Sequence, residues 1–554
     1  MKLVKKIYTF ITAAACCAAI SGIMPFSSSA EDSGTYGDLG YTKVDLNGDG
    51  TYDYISISGC KRSAVEVDIP AKIEGLPVAT IGIYAFAYCE SLTSITIPES
   101  VSQINIWAFK DCLSLISINI PDNVVYISSS AFYGCKSLTD INVTENNKYY
   151  SSSAGLLFDK NKTELIKYPA GKSLKNFNIP NGVKSLDRYS FCNCSNLTSI
   201  NIPESVTYIG IGAFYLCTNL KSIAIPDSVT KIENITFTGC SSLTSISIPE
   251  SVTYIGLNAF KDCTSLTSIY IPDSVTLTGL SGTFSGCTSL TNVKLPDVIY
   301  IISTNTFAGC SSLTNITIPD LVASIGDHAF YNCSSLTNIT VSENNKYFSS
   351  LNGVLFNKDK TELITYPNGN ERTEYTIPDS VTSIIEGAFA YCSNLIIVKI
   401  PDSVTDITDK TFYVCSSLTS VIIPDSVTHI GYNAFKYCKN LTSIIIKNPN
   451  CEISNGKNTI WETATIYGYE NSTAQAYAET YDRKFVLLIE YTETILGDIS
   501  GNGKIDLYDA IEIAKAIMGL RTFTDEEIII ADFNMDGTVD LYDAIEIARA
   551  LLPK

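Results

Sequence analysis

Two oxygen-rich segments near the C-terminus have the residue types and spacing of calcium loops. They are residues 498–509 (DISGNGKIDLYD, loop one) and 532–543 (DFNMDGTVDLYD, loop two), and they begin 34 residues apart. Calcium takes six to eight oxygen ligands, and a 12-residue loop supplies them from positions 1, 3, 5, 7, 9 and 12 if a glycine at position 6 permits the sharp turn. Gly503 and Gly537 occupy that position. The spacing therefore predicts one Ca²⁺ ion in each loop.

The predicted ligands are the side chains at five positions of each loop and the main-chain carbonyl at position 7. In loop one they are Asp498, Ser500, Asn502, the Lys504 carbonyl, Asp506 and Asp509. In loop two they are Asp532, Asn534, Asp536, the Thr538 carbonyl, Asp540 and Asp543. Loop one has three carboxylates and loop two has four, so we expect loop one to bind calcium more weakly.

An amphipathic helix is predicted after each loop, and the nine residues DLYDAIEIA are identical at 506–514 and 540–548. Both loops end in Asp where a sensor EF-hand has Glu, and no entering helix is evident before loop one. Two loop–helix units joined by a short linker resemble a type I dockerin over residues 497–554. This small all-α module docks secreted enzymes onto cohesin domains of a scaffold protein. The resemblance implies two bound Ca²⁺ ions and a cohesin partner.

The resemblance also implies which side chains contact the cohesin. Positions 10 and 11 of the loops map onto Leu507 with Tyr508 and onto Leu541 with Tyr542, and basic contact positions of the family match Lys515 and Arg549. Many family members carry Ser-Thr where this chain has Leu-Tyr, which suggests a more apolar contact. Two near-equal faces imply that the partner can bind in either of two orientations. The alternative is a calcium-stapled helix pair without a partner, since a domain this small needs such staples.

A repeat occupies most of the chain before these loops. A Phe preceded by Ala, Thr or, once, Ser recurs every 23 residues, with one interval of 24 and two of 59. The unit reads C-x-x-L-T-S-I-x-I-P-(D/E)-S-V-T-x-I-G-x-x-A-F-x-x, and the long intervals contain an alternative segment that begins at Asn142 or Thr340. The recurring residues are Phe86, Phe109, Phe132, Phe191, Phe214, Phe237, Phe260, Phe284, Phe307, Phe330, Phe389, Phe412 and Phe435. Such a period indicates a stack of repeats.

The spacing within one unit predicts its local structure. The alternation in L-x-x-I-x-I is typical of a short strand that faces a core. Pro ends that strand, and V-x-x-I-x-x-x-A-F predicts a return in helical or 3₁₀-like turns. One unit cannot bury its own apolar face, so the units must stack. The pattern resembles the BspA-type leucine-rich repeat over roughly residues 60–447, which implies a mixed α/β repeat solenoid followed by the small all-α dockerin.

Thirteen cysteines lie three residues after the recurring Phe residues. They are either a column of buried small thiols, each packed on the next repeat, or a redox or metal ladder. Free Cys packs as a small hydrophobe and no C-x-x-C motif occurs, so we favour the buried column. Cys60, Cys192 and Cys451 stand outside this column.

The predicted domain order is a signal peptide (1–30), an N-terminal cap (31–69), the repeat solenoid (70–447), a C-terminal cap (448–490) and the dockerin (497–554). A basic start, an apolar run and Ser-Ser-Ala before Glu31 predict secretion, without membrane insertion after cleavage; an uncleaved anchor is the alternative. Within the N-terminal cap, DLNGDGTYD resembles an integrin-like calcium loop through Asp45, Asn47, Asp49 and Asp53. A plain hairpin turn is the competing interpretation.

The repeat surface offers one candidate ligand site. Outward strand positions are mostly Ser, Thr and Asn, which are weak anchors for binding. In the C-terminal repeats Ile397, Ile422 and Ile445 replace polar residues near Lys399, which predicts an apolar patch. The patch either binds a ligand or is covered by the neighbouring cap.

Composition narrows the function. The 57 acidic residues outnumber the 38 Lys and Arg residues, so the charge of -19 disfavours nucleic acid and anionic membranes as partners. Two His residues leave little room for His-based catalysis. We therefore expect a secreted, non-catalytic adaptor that docks through its dockerin onto a cellulosome-like complex and presents the repeat surface to protein or glycan. The alternatives are a glycoside hydrolase, whose chemistry needs a pair of carboxylates in a cleft, and a host or cell-surface adhesin.

Overall fold

The computed structural model describes residues 32–278, 281–488, 496–499 and 505–551. The predicted signal peptide, residues 1–30, lies outside these described residues. The chain divides into two compact units, one ending at Leu266 and the other beginning at Thr267. In each unit the repeats stack, and each repeat forms one rung of the stack. This confirms the predicted repeat solenoid, and a small helical region follows it at the C-terminus.

Each rung contributes a short strand at the S-I-x-I positions. Neighbouring strands pair in parallel and in register, as Ile200 pairs with Ile223 and Ser222 with Ser245. Along the strand Ser222–Ala224 the central Ile is buried and its neighbours are exposed, which is the predicted alternation. In the first unit these strands are Glu66–Asp68, Ser94–Thr96, Ser117–Ile120, Asp140–Val143, Asn176–Asn178, Ser199–Asn201, Ser222–Ala224 and Ser245–Ser247. In the second unit they are Ser268–Tyr270, Asn292–Lys294, Asn315–Ile318, Asn338–Val341, Glu374–Thr376, Ile397–Lys399, Ser420–Ile423, Ser443–Ile446, Thr465–Gly468 and Phe485–Leu487.

The return side of each rung differs from the expectation of helical turns alone. The T-x-I segment forms a second parallel ladder of two-residue strands, as Tyr208 and Ile209 pair with Ser185 and Leu186. The first unit has Gln103–Ile104, Tyr126–Ile127, Ser185–Leu186, Tyr208–Ile209, Lys231–Ile232 and Tyr254–Ile255. The second unit has Leu277–Thr278, Ile301–Ile302, Ser324–Ile325, Ser383–Ile384, Asp406–Ile407, His429–Ile430 and Glu452–Ile453. Two residues are too few to show a strand period, so the sequence pattern did not reveal this ladder.

A tight turn around the recurring Phe closes each rung. Its hydrogen bonds join residues three apart, as in Tyr215 N to Gly212 O at 2.9 Å and Cys217 N to Phe214 O at 3.1 Å. This is the 3₁₀-like part of the prediction. With the exception of Ser130, the residues two before and two after the Phe have positive φ, so the turn cannot continue as a helix.

The Phe side chains form a stacked column through the core. Phe214 lies between Phe191 and Phe237, with ring centroids 5.3 and 5.4 Å away. The cysteines form a parallel column: Cys217 Sγ donates to Phe191 O at 3.1 Å, and Cys240 Sγ donates to Phe214 O at 3.2 Å. No disulfide joins the described cysteines, and all of them except Cys60 are buried. The geometry is that of packed thiols with a weak hydrogen bond each.

The Phe214→Ala variant is expected to destabilise the first unit by about 3–5 kcal/mol, because it empties a fully buried position between two stacked rings. Urea unfolding followed by circular dichroism measures this loss. Ser222→Ala, at an exposed strand position, should change the unfolding free energy by less than about 0.5 kcal/mol. Equal effects from the two variants would contradict a core role for the Phe column.

Two segments interrupt the regular rungs with antiparallel strands. They are Tyr150–Ser153, Leu156–Asp159 and Glu164–Lys167 in the first unit, and Phe348–Leu351, Val354–Asn357 and Glu362–Thr365 in the second. After the first set, the Tyr168 ring takes the column position and stacks on Phe191 at 5.2 Å. Tyr366 does the same on Phe389, also at 5.2 Å.

Both ends of the repeat array carry irregular elements. At the N-terminus, Ser33–Tyr36, Leu39–Val44 and Tyr54–Cys60 form an antiparallel sheet that continues into Leu76–Ile81, which also pairs with Lys72–Ile73. At the C-terminus, helix α1 (Thr473–Thr480) lies between two strands and begins at Ser472, whose side chain accepts from Gln475 N. Its Tyr477 is buried and donates to Gly456 O at 2.9 Å.

The C-terminal region contains helices α2 (Leu507–Ile517), α3 (Asp525–Ala531) and α4 (Leu541–Ala550). A small core of Ile499, Ala510, Ile513, Ala531, Ala544 and Ile547 holds them together. Helix α3 lies in the segment expected to be only a linker. Its Thr524 and Glu527 form a reciprocal capping box, a sequence signal for a helix start that the pattern T-x-x-E provides. Within the described ranges, no helix combines the length and the apolar character needed to cross a lipid bilayer.

Candidate functional site

Loop two is a tight turn whose carboxylates accept hydrogen bonds from the loop's own N–H groups. The Asp532 carboxylate accepts from Asp536 N at 2.9 Å and from Gly537 N at 2.8 Å. Gly537 has a φ of 87°, a conformation that glycine adopts without steric cost. The position-6 glycine therefore makes the turn that the calcium prediction requires.

Asp543 closes loop two from its other end. Its carboxylate is fully buried and accepts from Asn534 N at 2.9 Å and from Asp540 N at 2.8 Å. The carboxylates of Asp532 (position 1) and Asp543 (position 12) therefore both point into the loop.

The electrostatics of loop two favour a cation. Burial, together with the charges of Asp543 and Asp536, raises the pKa of Asp532 to about 7. Burial also raises the pKa of Asp543. Crowded carboxylates repel one another, and a divalent cation relieves that repulsion. The oxygen donors and their crowding fit calcium, which prefers carboxylate and carbonyl ligands.

Within the described residues, no three acidic, His or Cys side chains converge on one point as a preassembled metal centre. The carboxylates of loop two are instead hydrogen-bonded to the main chain, and Asn534 Nδ2 donates to Asp536 Oδ2 at 3.2 Å. Calcium binding in this chain is therefore a proposal that rests on the loop's donor set and burial.

Loop one is described only at its ends. Asp498 and Asp509 are buried, and Asp509 Oδ2 accepts from Asp506 N at 2.7 Å, as Asp543 does from Asp540. The predicted ligands Ser500, Asn502 and Lys504 lie outside the described residues. The two loops therefore match at positions 9 and 12.

Asp506 and Asp540 have a second role as the N-caps of α2 and α4. Each accepts a hydrogen bond from the N–H two residues on, Tyr508 or Tyr542, at 2.7 Å. A cap of this kind stabilises a helix start by about 1 kcal/mol. The calcium loops and the helices that follow them consequently share the same carboxylates.

The predicted cohesin-contact residues follow these caps directly. Tyr508 is 69% exposed, Tyr542 is 67% exposed and Leu541 is 60% exposed. The side chain of Leu507 lies outside the described atoms. Large apolar side chains this exposed on a small domain are typical of a docking surface.

The predicted basic contacts occupy equivalent places on the two helices. Lys515 Nζ lies 2.7 Å from Glu512 Oε1, and Arg549 Nη1 lies 2.8 Å from Glu546 Oε1. Both bases are exposed. The acidic partners were missing from the predicted site, although their spacing three residues before each base is the sequence signal for such a pair.

The N-terminal segment 45–53 has the same hydrogen-bond pattern as loop two. Asp45 Oδ2 accepts from Gly50 N at 2.7 Å, as Asp532 does from Gly537. Hydrogen bonds from Thr51 and Asn47 lower the pKa of Asp49. The segment connects two antiparallel strands, so the hairpin and the calcium interpretations both remain predictions.

The predicted apolar patch lies on the last rungs of the second unit. Ile397, Ile422 and Ile445 are half-buried and Lys399 is exposed. Ser443 beside them is buried, unlike Ser245 at the same repeat position. Loop two approaches this surface: a Cβ at Gly537 would lie 3.2 Å from Thr442 Oγ1. A ligand role for the patch stays a prediction.

An aromatic cluster on the turn side of the first unit was missed by the sequence analysis. Trp107, Tyr133, Tyr189 and Tyr215 line a depression of about 380 Å³ together with Lys110 and Lys261. These residues come from separate rungs, so no local motif marks them. The sequence signal for the cluster is that Trp or Tyr, rather than a small residue, stands within two positions of the recurring Phe in these rungs.

Two family models match the chain. The BspA type Leucine rich repeat region (6 copies) matches residues 60–171, 166–281, 280–375 and 365–457, which together span more than half of the chain. The Dockerin type I domain matches residues 496–552. Leucine-rich repeats are protein-binding folds, and type I dockerins bind calcium and dock onto cohesins of cellulosome-type complexes. Both families are non-catalytic and typically extracellular.

Two solved structures of bacterial proteins are similar to this chain. A leucine rich cell surface protein of Faecalibacterium prausnitzii A2-165 is 31% identical, with a TM-score of 0.47, over 56% of this chain and 96% of that chain. A leucine-rich repeat protein of Bacteroides ovatus ATCC 8483 is 26% identical, with a TM-score of 0.39, over 79% of this chain and 100% of that chain. No curated protein matches the chain. From the family matches, the chain belongs to the BspA-type leucine-rich repeat proteins and carries a type I dockerin at its C-terminus.

Proposed function

We propose that this chain is a secreted, non-catalytic adaptor of a cellulosome-like complex. Its dockerin binds Ca²⁺ through loops one and two and docks onto a cohesin, while the repeats present a surface to protein or glycan in polysaccharide degradation or adhesion. The observation that carries the docking role is the exposed Tyr508 and Tyr542, each two residues beyond a helix-capping carboxylate. An apolar side chain held beside a rigid helix start is a suitable anchor for a partner.

The predicted calcium ligands support this role through their link to the helices. Asp509 and Asp543 are buried, and each bonds the N-cap residue of the helix that carries the contact pair. Calcium bound by these carboxylates would therefore fix the position of the helix starts. The N-terminal segment 45–53 is a candidate for a third ion because its hydrogen bonds repeat those of loop two.

An enzymatic role is the second candidate, since dockerins usually carry glycoside hydrolases. Such chemistry needs two carboxylates at a defined separation in a cleft. The acidic residues of the repeats recur with the period, as Asp227 and Glu250 do after successive Pro residues, which is typical of turn positions. This pattern and the two non-catalytic families favour the adaptor. An adhesin differs from it only in the ligand.

A cohesin pull-down with the full-length chain, in calcium and in chelator, tests the docking role. We expect capture in calcium and none in chelator, because the contact helices depend on the loops.

A glycan array on residues 31–490 then tests whether the repeats bind glycan. Hydrolysis of any polysaccharide by the full-length chain would contradict the non-catalytic assignment, and the absence of binding to all cohesin types would contradict docking.

A further inference from the structure

The first unit has a concave aromatic surface on the side where the Phe turns lie. Its residues are far in sequence from the dockerin. We call it the aromatic depression: Trp107, Tyr133, Tyr189 and Tyr215, with Lys110 and Lys261 at its borders. Its volume of about 380 Å³ is in the range of small-ligand sites. All four aromatic side chains are half-buried, so each keeps part of its ring open to solvent.

The depression exists because one rung is short. Between the rungs of Phe132 and Phe191 the column position is taken by Tyr168, and the chain continues as Pro169-Ala170-Gly171 without a large side chain after the ring. Gly171 approaches Ser137 so closely that an added Cβ would lie 2.5 Å from its main chain. The turn side chains of the neighbouring rungs therefore face a gap.

Three tyrosines surround this gap. The Tyr133 ring lies 6.1 Å from Tyr189 and 6.3 Å from Tyr215, with interplanar angles of 85° and 36°. Tyr189 and Tyr215 are 6.5 Å apart at 89°. Rings at these mutual angles do not bury one another's faces in a flat stack, so faces and edges both line the depression.

The main chain is strained where it presents these side chains. Trp107, Tyr189 and Ile235, all lining residues, have φ values of 54°, 56° and 52°. The same repeat position has a positive φ in other rungs, at Tyr84, His328 and Lys410 as well as at Asn305, so this conformation belongs to the repeat turn.

The charge around the depression is positive, in contrast to the chain as a whole. Lys110 Nζ lies 5.9 Å from the Tyr133 ring centroid, and among the described residues that line the depression none is acidic. Asp111, just outside it, is 4.0 Å from Lys110. Lys167 is only 2% exposed, its Nζ donates to Tyr189 O at 2.8 Å, and it interacts electrostatically with the Asp187 carboxylate. The positive charge at the depression therefore comes from Lys110 and Lys261, which line it.

We propose that the aromatic depression binds a carboxylated glycan, a chain that contains uronic acid residues. Sugar rings expose faces of polarised C–H groups that pack on the negative faces of Trp107 and the tyrosines. The Lys110 and Lys261 ammonium groups pair with the sugar carboxylates in charge-assisted hydrogen bonds. The Asn258 amide can donate to and accept from sugar hydroxyl groups.

This inference rests on the proposed function in one respect, namely that the repeats present a ligand surface while the dockerin docks. Cohesin capture and glycan binding are separate measurements on the same full-length protein. A chain that captures cohesin but not the glycan rejects the inference alone, and the reverse result rejects docking alone.

The test is isothermal titration of the full-length chain with hexagalacturonate and with a glucuronic-acid-substituted xylo-oligosaccharide, which distinguishes two sources of the same carboxylated sugar. The fully methyl-esterified hexagalacturonate is the matched neutral ligand. We expect at least one acidic oligosaccharide to bind at least tenfold more tightly than the ester. Tyr133→Ala combined with Tyr215→Ala should weaken binding of the acid at least tenfold, and Lys110→Met combined with Lys261→Met should remove its advantage over the ester.

Tyr300→Ala is the control, because Tyr300 is 59% exposed in the second unit and does not line the depression. It should leave glycan binding unchanged. Tyr133→Phe keeps the ring and should keep binding, which separates stacking from misfolding. Equal binding of acid and ester, equal loss from Tyr300→Ala, binding of poly-glutamate as tight as that of the glycan, or no binding of either acidic oligosaccharide would each overturn the proposal.

Discussion

Replacing Asp532 and Asp543 together by Ala is expected to unfold the dockerin and abolish cohesin binding while the repeats stay folded. Asp532 accepts the N–H groups of the loop-two turn, and the buried Asp543 accepts the N–H of Asp540, the N-cap of α4. The two changes remove these acceptors from the N–H groups of Gly537 and Asp540, and they remove two predicted calcium ligands. The double variant therefore loses calcium affinity and also destabilises the N-terminus of α4.

The size of this effect follows from the small core of the dockerin. Below about 70–80 residues a hydrophobic core rarely supplies more than about 3–5 kcal/mol. A calcium concentration of about 100 times the Kd adds about 2.7 kcal/mol per site. Losing one site thus removes a large part of the folding free energy, whereas the repeat units have independent cores.

Calorimetry of the full-length chain with and without calcium measures the result. The transition assigned to the dockerin should vanish in the variant and in chelator, and the repeat transitions should stay. Asp227→Ala, which removes an exposed carboxylate from a repeat turn, is the matched control and should change neither. An intact, calcium-responsive dockerin transition in the double variant would exclude loop two as a metal site.

The calcium affinity of loop two is expected to depend on pH. Calcium needs the ionised form of Asp532, whose pKa is raised to about 7 in the ion-free loop. The protonated carboxyl stabilises the ion-free fold below its unfolded pKa of about 4, and this stabilisation is lost as the pH rises through about 7. Calcium binding releases that proton, so the calcium affinity should rise between pH 5.5 and 7.5.

Loop one should bind calcium at a higher concentration than loop two. A third calcium ion per chain would indicate that the segment 45–53 is occupied.

The sequence was informative wherever a rung repeats its buried positions. The Phe column and the alternating strand follow directly from the period, because each rung must bury the same side chains against its neighbour. The turn of loop two was predictable for a related reason, because Gly537 stands at a fixed place in the 12-residue spacing. In both cases local spacing determines the structure.

Other features depend on contacts between distant segments. The two-residue strands such as Tyr208–Ile209 form only through pairing with the next rung, so they carry no period of their own. The aromatic depression requires Tyr133 to meet Tyr215 across the short rung at Tyr168, which a linear repeat alignment does not show. Such sites arise where the repeat is interrupted.

Removing one Leu-Tyr pair of the dockerin is expected to halve cohesin affinity, and removing both pairs should abolish binding. The two contact faces are nearly equal: Tyr508 and Tyr542 are 69% and 67% exposed, and each lies one helical turn before an acid–base pair. If either face can dock, the association constants of the two orientations add. Loss of one orientation then costs a factor of about two, or about 0.4 kcal/mol.

The variants are Leu507→Ala with Tyr508→Ala, Leu541→Ala with Tyr542→Ala, and all four changes together. Loss of an aromatic anchor at a docking centre costs about 2 kcal/mol or more, so the fourfold variant should bind at least about 30-fold more weakly. Leu520→Ala, which truncates an apolar side chain that is 73% exposed on the same domain, is the control and should leave affinity unchanged. Surface plasmon resonance against immobilised cohesin gives the affinities.

The two halves differ in one contact that decides which orientation is preferred if they are unequal. Glu512, the partner of Lys515, also pairs with Arg521, whereas Glu546 pairs with Arg549 alone in the described part of the chain. Lys515 is also less exposed than Arg549, 45% against 68%, so Arg549 is the freer base for a cohesin carboxylate. The Leu541 and Tyr542 variant should then lose slightly more affinity than its counterpart. Complete loss from either single pair would reject the two-orientation arrangement, because it would show that only one face docks.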